Sequence, residues 1–208
     1  MPPVKEDKKE LTDKDVIANL LKAGKDSHFN FLEERYWRIS TGSLLLDSVV
    51  GGVTPGLHRF VGMNSGGKTS EALEVMRNFF KQIPDSKGLY FNAEGRLSKE
   101  MKERSGLKFV YNPQDWEVHT ILVIDTNIYE FVCATIEAVI RGDSDTYYGI
   151  ILDSTDGMLQ KNDLAKGYDE SNKVAGGAVM ASNLMKRVAI PLSKSGHFAI
   201  FISQVRSD

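Results

Sequence analysis

The chain has 208 residues, 41% of them apolar and 26% charged, with a net charge of −2. That length suits one domain with a short appendage and is ample for a real core. The charge balance excludes a polycation, so any contact with nucleic acid must come from a local basic face or from assembly. A single cysteine, Cys133, excludes a disulfide framework within the chain and fits a reducing cytoplasm. Set in an apolar run, it reads as core packing. The polar start "MPPVKEDKKE" has no apolar signal region, and no apolar stretch approaches the ~20 residues that span a bilayer. The expectation is a soluble cytoplasmic protein with no membrane partner.

Taken in chain order, "LTDKDVIANLLKAG" predicts a short helix. Thr12 or Asp13 can cap it, Val16, Ile17, Leu20 and Leu21 form its apolar stripe, and Gly24 stops it. The alternating aromatics of "HFNFLEERYWRIS" predict an edge strand. Residues 1–37 are therefore expected to form an N-terminal appendage and 38–208 the main domain. Within the latter, "LHRFVGM" predicts a strand, 69–81 a helix, "KGLYFNAE" a strand and 98–105 a helix. "KFVYN" and "VHTILVID" supply one or two strands, and 127–141 a helix. "YYGIILDST" is a near-continuous apolar strand, 177–194 a helix despite Pro191, and "HFAIFISQ" the last strand. Alternation of this kind implies an α/β fold, a mostly parallel sheet with helices on both faces. Its ligands belong at the carboxyl ends of the strands.

Three stretches carry chemistry. In "GMNSGGKTS", Gly62 is followed by four residues and then Gly67, Lys68 and Thr69, the spacing of a phosphate-binding loop between strand and helix. Its glycines let backbone N–H groups of Gly62, Met63, Asn64, Ser65, Gly66, Gly67 and Ser70 turn toward phosphates, helped by the helix N-terminus. Lys68 can reach the β- and γ-phosphates of a nucleotide such as ATP, and the Thr69 hydroxyl can ligate Mg²⁺. In "GIILDST", Asp153 ends a buried strand, where a carboxylate can hold water of the Mg²⁺ shell. In "YFNAEG", Glu94 ends another strand. On spacing alone it is either the carboxylate that activates an attacking water or a solvated turn residue.

The order and spacing of these elements resemble the RecA family of DNA recombinases, from about Arg38 to Arg206. "RISTGSLLLDSVVGGVTPG" precedes the loop as in that family, "NAEG" stands at its Asp-Ala-Glu segment, "ILDST" at its Walker B Asp-Ser, and "FISQVR" at its Asn-Gln and basic element. The shortened, polar character is similar to phage recombinases of the UvsX kind. The resemblance implies a RecA-like ATPase core with ATP and Mg²⁺. In it Glu94 is the general base, Ser154 a hydrogen-bonding neighbour of the metal site, and Gln204 the γ-phosphate sensor. It implies a first DNA-binding loop at 165–177 carrying Lys166 and Lys173, with Lys186, Arg187 and Arg206 as further phosphate contacts. Such contacts give affinity without sequence preference, as strand exchange on single- and double-stranded DNA requires. It also implies self-association into a filament through the helix at Val16–Leu21, with Phe29 and Phe31 as strand anchors. The alternative functions within the same fold are a ring helicase, a clock-type ATPase, a recombination mediator, or a nucleotide-binding partner without turnover.

Several positions depart from the family pattern. Asn92 replaces the acidic residue before Ala93-Glu94, Gly95 follows Glu94, Met101 stands near the position that stacks an aromatic on adenine, and Ser203 replaces Asn before Gln204. The sequence stops at "QVRSD", where the second DNA-binding loop starts in the family. The expectation is a truncated or split recombinase, or one completed by a second chain, that binds nucleotide but hydrolyses ATP weakly and exchanges strands poorly alone.

Overall fold

The structure, a computed structural model, describes residues 12–28, 30, 34–142, 145–164 and 175–205. It divides into two compact units, Met1–Leu32 and Glu33–Asp208. The first holds α1 (Asp13–Ala23), which begins and ends where its sequence says it should. Thr12 accepts from the Asp15 N–H while the Asp15 carboxylate accepts from the Thr12 N–H, a reciprocal capping box, and Gly24 closes the other end. No residue of α1 is buried. Its stripe of Val16, Ile17 and Leu20 is exposed. Phe29 and Phe31 lie outside the described residues.

The second unit is built on six parallel strands. They are β1 (Gly56–Gly62), β2 (Ser86–Asn92), β3 (Lys108–Val110), β4 (Thr120–Ile124), β5 (Tyr147–Asp153) and β6 (Phe198–Gln204). Their order across the sheet is β1-β6-β5-β2-β4-β3. Six further helices belong to this unit among the described residues: α2 (Leu44–Val50), α3 (Lys68–Gln82), α4 (Lys99–Ser105), α5 (Tyr129–Arg141), α6 (Lys161–Leu164) and α7 (Ala175–Lys194). The fold is therefore the α/β class that strand–helix alternation implies. None of the helices among the described residues is long and apolar enough to cross a membrane.

Successive strand residues point to opposite faces, and this alternation sorts the core into two layers. Tyr90, Ile121, Ile151 and Ile200 face one cluster, which includes Val75, Met76 and Phe79 of α3. Leu89, Phe91, Ile150 and Phe201 face the other, with Val132 and Ile136 of α5 and Leu184, Val188 and Leu192 of α7. Covering on both faces is why β5 and β6 read as unbroken apolar runs. Close approach of α3 is why glycine sits inside β5. A Cβ on Gly149 would lie 2.6 Å from the Phe198 ring and 2.8 Å from the Met76 sulfur.

The alternating aromatics before residue 40 do not form the expected strand among the described residues. Instead Trp37 enters the core of the second unit, 5.2 Å from the Phe79 ring, and its indole N–H donates to the Gly196 carbonyl at 2.8 Å. Ile39 makes only an isolated antiparallel bridge to Val53. Among the described residues of this segment, Trp37 and Ile39 reach the core singly. α2 has no clear period to announce it. Ser43 caps it, Gly51 ends it in a left-handed conformation, and the Asp47 carboxylate accepts from the Thr41 N–H and hydroxyl at 2.8 and 2.7 Å.

Just before β6, His197 is 3% exposed and its Nδ1 accepts from the Tyr148 N–H at 3.2 Å. Burial first, and the Arg35 guanidinium second, lower its pKa from 6.5 to about 4. Between those values the unfolded chain takes up a proton that the folded chain refuses. The stability held above pH 6.5 is therefore lost as the pH falls toward about 4. The difference amounts to roughly 3 kcal/mol. Urea unfolding at a series of pH values is expected to show this fall, and His197→Asn to flatten it.

Candidate functional site

Because every strand runs the same way, β1, β2, β5 and β6 deliver their carboxyl ends to one edge of the sheet. The register fixes which residues meet there: Gly62 of β1 stands beside Gln204 of β6, and Asn92 of β2 beside Asp153 of β5. The Val205 N–H donates to the Gly62 carbonyl at 3.1 Å, tying the end of β6 to the start of the loop. A cleft of about 400 Å³ opens at this edge. Asn64 through Ser70 form one wall, and Arg96, Met101, Arg104, Asp153, Ser154 and Gln204 complete it.

The loop from Gly62 joins β1 to α3, as the sequence predicts. Gly67, with φ of 82°, makes the left-handed turn into the helix that a side chain would resist. The Lys68 ammonium curls back over the loop, donating to the carbonyls of Gly62 at 3.0 Å and Met63 at 2.7 Å. Residues 63–67 are exposed. The N-terminal N–H groups of α3 and the ammonium make this surface a site for anionic phosphate.

Beside the loop, the Thr69 hydroxyl donates to Asp153 Oδ2 at 2.8 Å. The Tyr90 hydroxyl donates to the same oxygen at 2.6 Å. Asp153 is 4% exposed. Burial foremost, followed by the Asp153 charge, pushes the Tyr90 phenol far above its usual range, so it remains a donor. Among the described residues no three His, Cys, Asp or Glu side chains gather to hold a metal. The hydroxyl and carboxylate of Thr69 and Asp153 instead form a sparse oxygen pair. Such a pair fits Mg²⁺, which keeps water and phosphate oxygens in its shell. Tyr90→Phe removes one of the two side-chain donors that orient the carboxylate. Were Thr69 and Asp153 to hold Mg²⁺ for ATP turnover, the substitution would raise the Mg²⁺ concentration for half-maximal turnover about tenfold, as read from a magnesium titration.

Glu94 lies just past β2, and the backbone N–H groups of Ala93 and Glu94 donate to the Asp153 carbonyl. Its carboxylate, 12% exposed, is surrounded by donors. The Ser154 hydroxyl donates to Oε1, the Gln204 amide lies 3.4 Å from both oxygens, and Arg96 Nε is 2.7 Å from Oε2. The Gln204 N–H donates to Asp156 Oδ2 at 2.7 Å. A Cβ on Gly157 would come within 2.6 Å of Glu94 Cγ, so the smallest residue backs the carboxylate. Ser203 is buried and accepts from Arg59 at 2.9 Å.

The structure thus brings Asn64 through Ser70, Asp153, Ser154 and Gln204 into one cleft, and Glu94 is bonded to three residues that line it, Ser154, Gln204 and Arg96. Met101 lines it from α4, together with Arg104, whose guanidinium lies 3.4 Å from the Ser70 hydroxyl. Arg96, Tyr90, Asp156 and Arg104 are not singled out by the sequence. Tyr90 and Arg96 are legible only once β2 is known to lie beside β5 and the loop. Of the basic residues expected at DNA, Lys186 and Arg187 do not line the cleft. Lys186 and Arg187 are exposed on α7, and Arg187 pairs with Glu137 of α5 at 2.9 Å. Lys166, Lys173 and Arg206 lie outside the described residues. Cys133 is partly buried between α5 and α7, and burial, then Glu137, raises its thiol to about 11, so little thiolate forms at neutral pH.

The family model of the RecA N-terminal domain matches residues 19–208. Among solved structures, a crystal structure of the RadB recombinase superposes with a TM-score of 0.55 at 22% identity, over 81% of this chain and 71% of that one. At that identity the likeness concerns the fold. No curated protein matches the chain.

Proposed function

The chain belongs to the RecA family, and we propose that it hydrolyses ATP with Mg²⁺ and uses the nucleotide state to control a filament on DNA. The observation that carries this reading is the meeting of Lys68, the Thr69–Asp153 pair and Gln204 in a single cleft, with Glu94 bonded to Gln204 and Ser154 of its lining. Each supplies one requirement of phosphoryl transfer to water. On nucleotide binding, Lys68 would leave the Gly62 and Met63 carbonyls for the β- and γ-phosphates. Thr69 and Asp153 would hold Mg²⁺, which would supply positive charge to offset the charge that develops on the phosphates. Glu94 would orient the attacking water and accept its proton as the new bond to the γ-phosphorus forms and the bond to the β–γ bridging oxygen breaks. Ser154 and Gln204 would keep that carboxylate in place. The loss of the γ-phosphate would reach the chain after β6 through Gln204, whose side chain touches Glu94 and whose backbone is held by Asp156.

On DNA, Lys186 and Arg187 of α7, together with Lys166, Lys173 and Arg206, would contact backbone phosphates. At Arg187 a phosphate would have to displace Glu137, which would make that contact the weaker of the two on α7. For assembly, the exposed stripe Val16, Ile17 and Leu20 supports docking of α1, with Phe29 and Phe31, on a second copy. A further chain would supply any basic groups that act on the ATP from outside. The setting is intracellular DNA, free in the cytoplasm or in the nucleoid.

Electron microscopy of the chain with single-stranded DNA and a slowly hydrolysed ATP analogue tests this reading, alongside ATP hydrolysis with and without the DNA. Filaments and faster hydrolysis are expected. Closed rings that unwind duplexes, or DNA without effect on either assay, would remove the recombinase assignment.

A further inference from the structure

Arg96 is two residues beyond Glu94 and plays no part in the scheme above. Gly95, with φ of 67°, turns the chain between them, and Leu97, 8% exposed, anchors the other side in the core. The guanidinium is thereby aimed into the cleft. Its Nε is 2.7 Å from Glu94 Oε2, and its Nη1 donates to Asn64 Oδ1 at 2.8 Å. One planar group therefore bridges the carboxylate that would activate water and the loop that would hold the phosphates. In a productive complex, the group between those two partners must be the terminal phosphoryl.

We propose that Arg96 is a γ-phosphate-binding residue held in reserve by Glu94. The inference rests on the nucleotide reading and deepens it. Without a triphosphate, Arg96 occupies two of its donors with Glu94 and Asn64 and covers the carboxylate oxygen that would take the water's proton. The Arg96 side chain is half exposed, so water can reach the guanidinium as it leaves Glu94. A terminal phosphoryl group carries more charge than the carboxylate and offers oxygens spaced for the guanidinium fork. It draws the guanidinium away from Glu94 Oε2. The same movement adds a positive charge where negative charge grows during transfer and frees Glu94 to act as base. ADP, lacking that phosphoryl, leaves the lock closed.

The test is to titrate wild type, Arg96→Ala and Arg96→Lys with ADP and with adenosine 5′-(γ-thio)triphosphate, both with Mg²⁺, and to measure ATP turnover. Arg96→Ala is expected to bind ADP within about twofold of wild type. It should bind the thiotriphosphate about tenfold more weakly and turn over about 100-fold more slowly, a loss approaching the range of arginines acting in phosphoryl transfer. Arg96→Lys restores the charge without the fork, so it should recover more of the affinity than of the turnover. Equal losses for both nucleotides, or unchanged binding of the thiotriphosphate, would overturn the role of Arg96 and leave the nucleotide reading standing. A wild-type chain that binds neither nucleotide would instead overturn that reading and the inference with it.

Discussion

Replacing Glu94 by Gln is expected to slow ATP turnover by about 10²–10⁴-fold, the range for loss of a positioned general base. A 100-fold loss corresponds to about 2.7 kcal/mol of transition-state stabilisation. Folding and ADP binding should change little. The substitution keeps the shape of a side chain that is only 12% exposed, and Ser154 and Gln204 remain beside it. What changes is chemical: the amide cannot accept the proton of the attacking water, and its N–H₂ end meets donors already aimed at that position. Phosphate-release kinetics paired with equilibrium binding separate the two effects. Turnover within a few-fold of wild type would transfer the role of base to another group.

Lys68→Ala acts on the other half of the cycle. In the free chain the ammonium is satisfied by the carbonyls of Gly62 and Met63 on an exposed loop, where water can replace it. Its removal should therefore leave the melting temperature of the free protein nearly unchanged. With phosphates present, the same ammonium would make charge-assisted hydrogen bonds, and losing them should weaken ATP binding about 100-fold. A ligand at 100 times its Kd stabilises a protein by about 2.7 kcal/mol. The rise in melting temperature with ATP expected for wild type should thus nearly vanish in Lys68→Ala at the same ATP concentration. An equal rise in both would mean that the loop does not grip the nucleotide.

Of these two side chains, Lys68 is legible from its own stretch of sequence, and the reason is local. The phosphate loop is a contiguous motif, with its strand, its turn and its helix adjacent in the chain, so spacing alone conveys geometry. Asp153 is nearly as clear, because an apolar strand covered on both faces ends in a charge. Glu94 needs the family resemblance, since a carboxylate after a strand is common in turns.

The rest of the site arises from register between distant segments. Tyr90 reads as a core aromatic in β2, and only the pairing of β2 with β5 carries its hydroxyl to Asp153. Arg96 reads as a solvated charge in a turn, and only the packing of that turn beside the loop gives it Asn64 as a partner. The same limit applies to the fold. The long strands and helices are readable from their periods. Trp37 reads as part of an appendage because its neighbours alternate, although its indole packs on Phe79 and Phe198. α2 escapes a reading by period because "LLLDSVV" is short and apolar without a helical stripe, and its bounds depend on Ser43 and Gly51.

The most direct test of the account is phosphate release by the purified chain given ATP, followed as Mg²⁺ and then single-stranded DNA are added. The account predicts saturable release that requires Mg²⁺, rises with DNA and disappears in Glu94→Gln. Release by the wild-type chain that never exceeds that of Glu94→Gln under any of these conditions would contradict it.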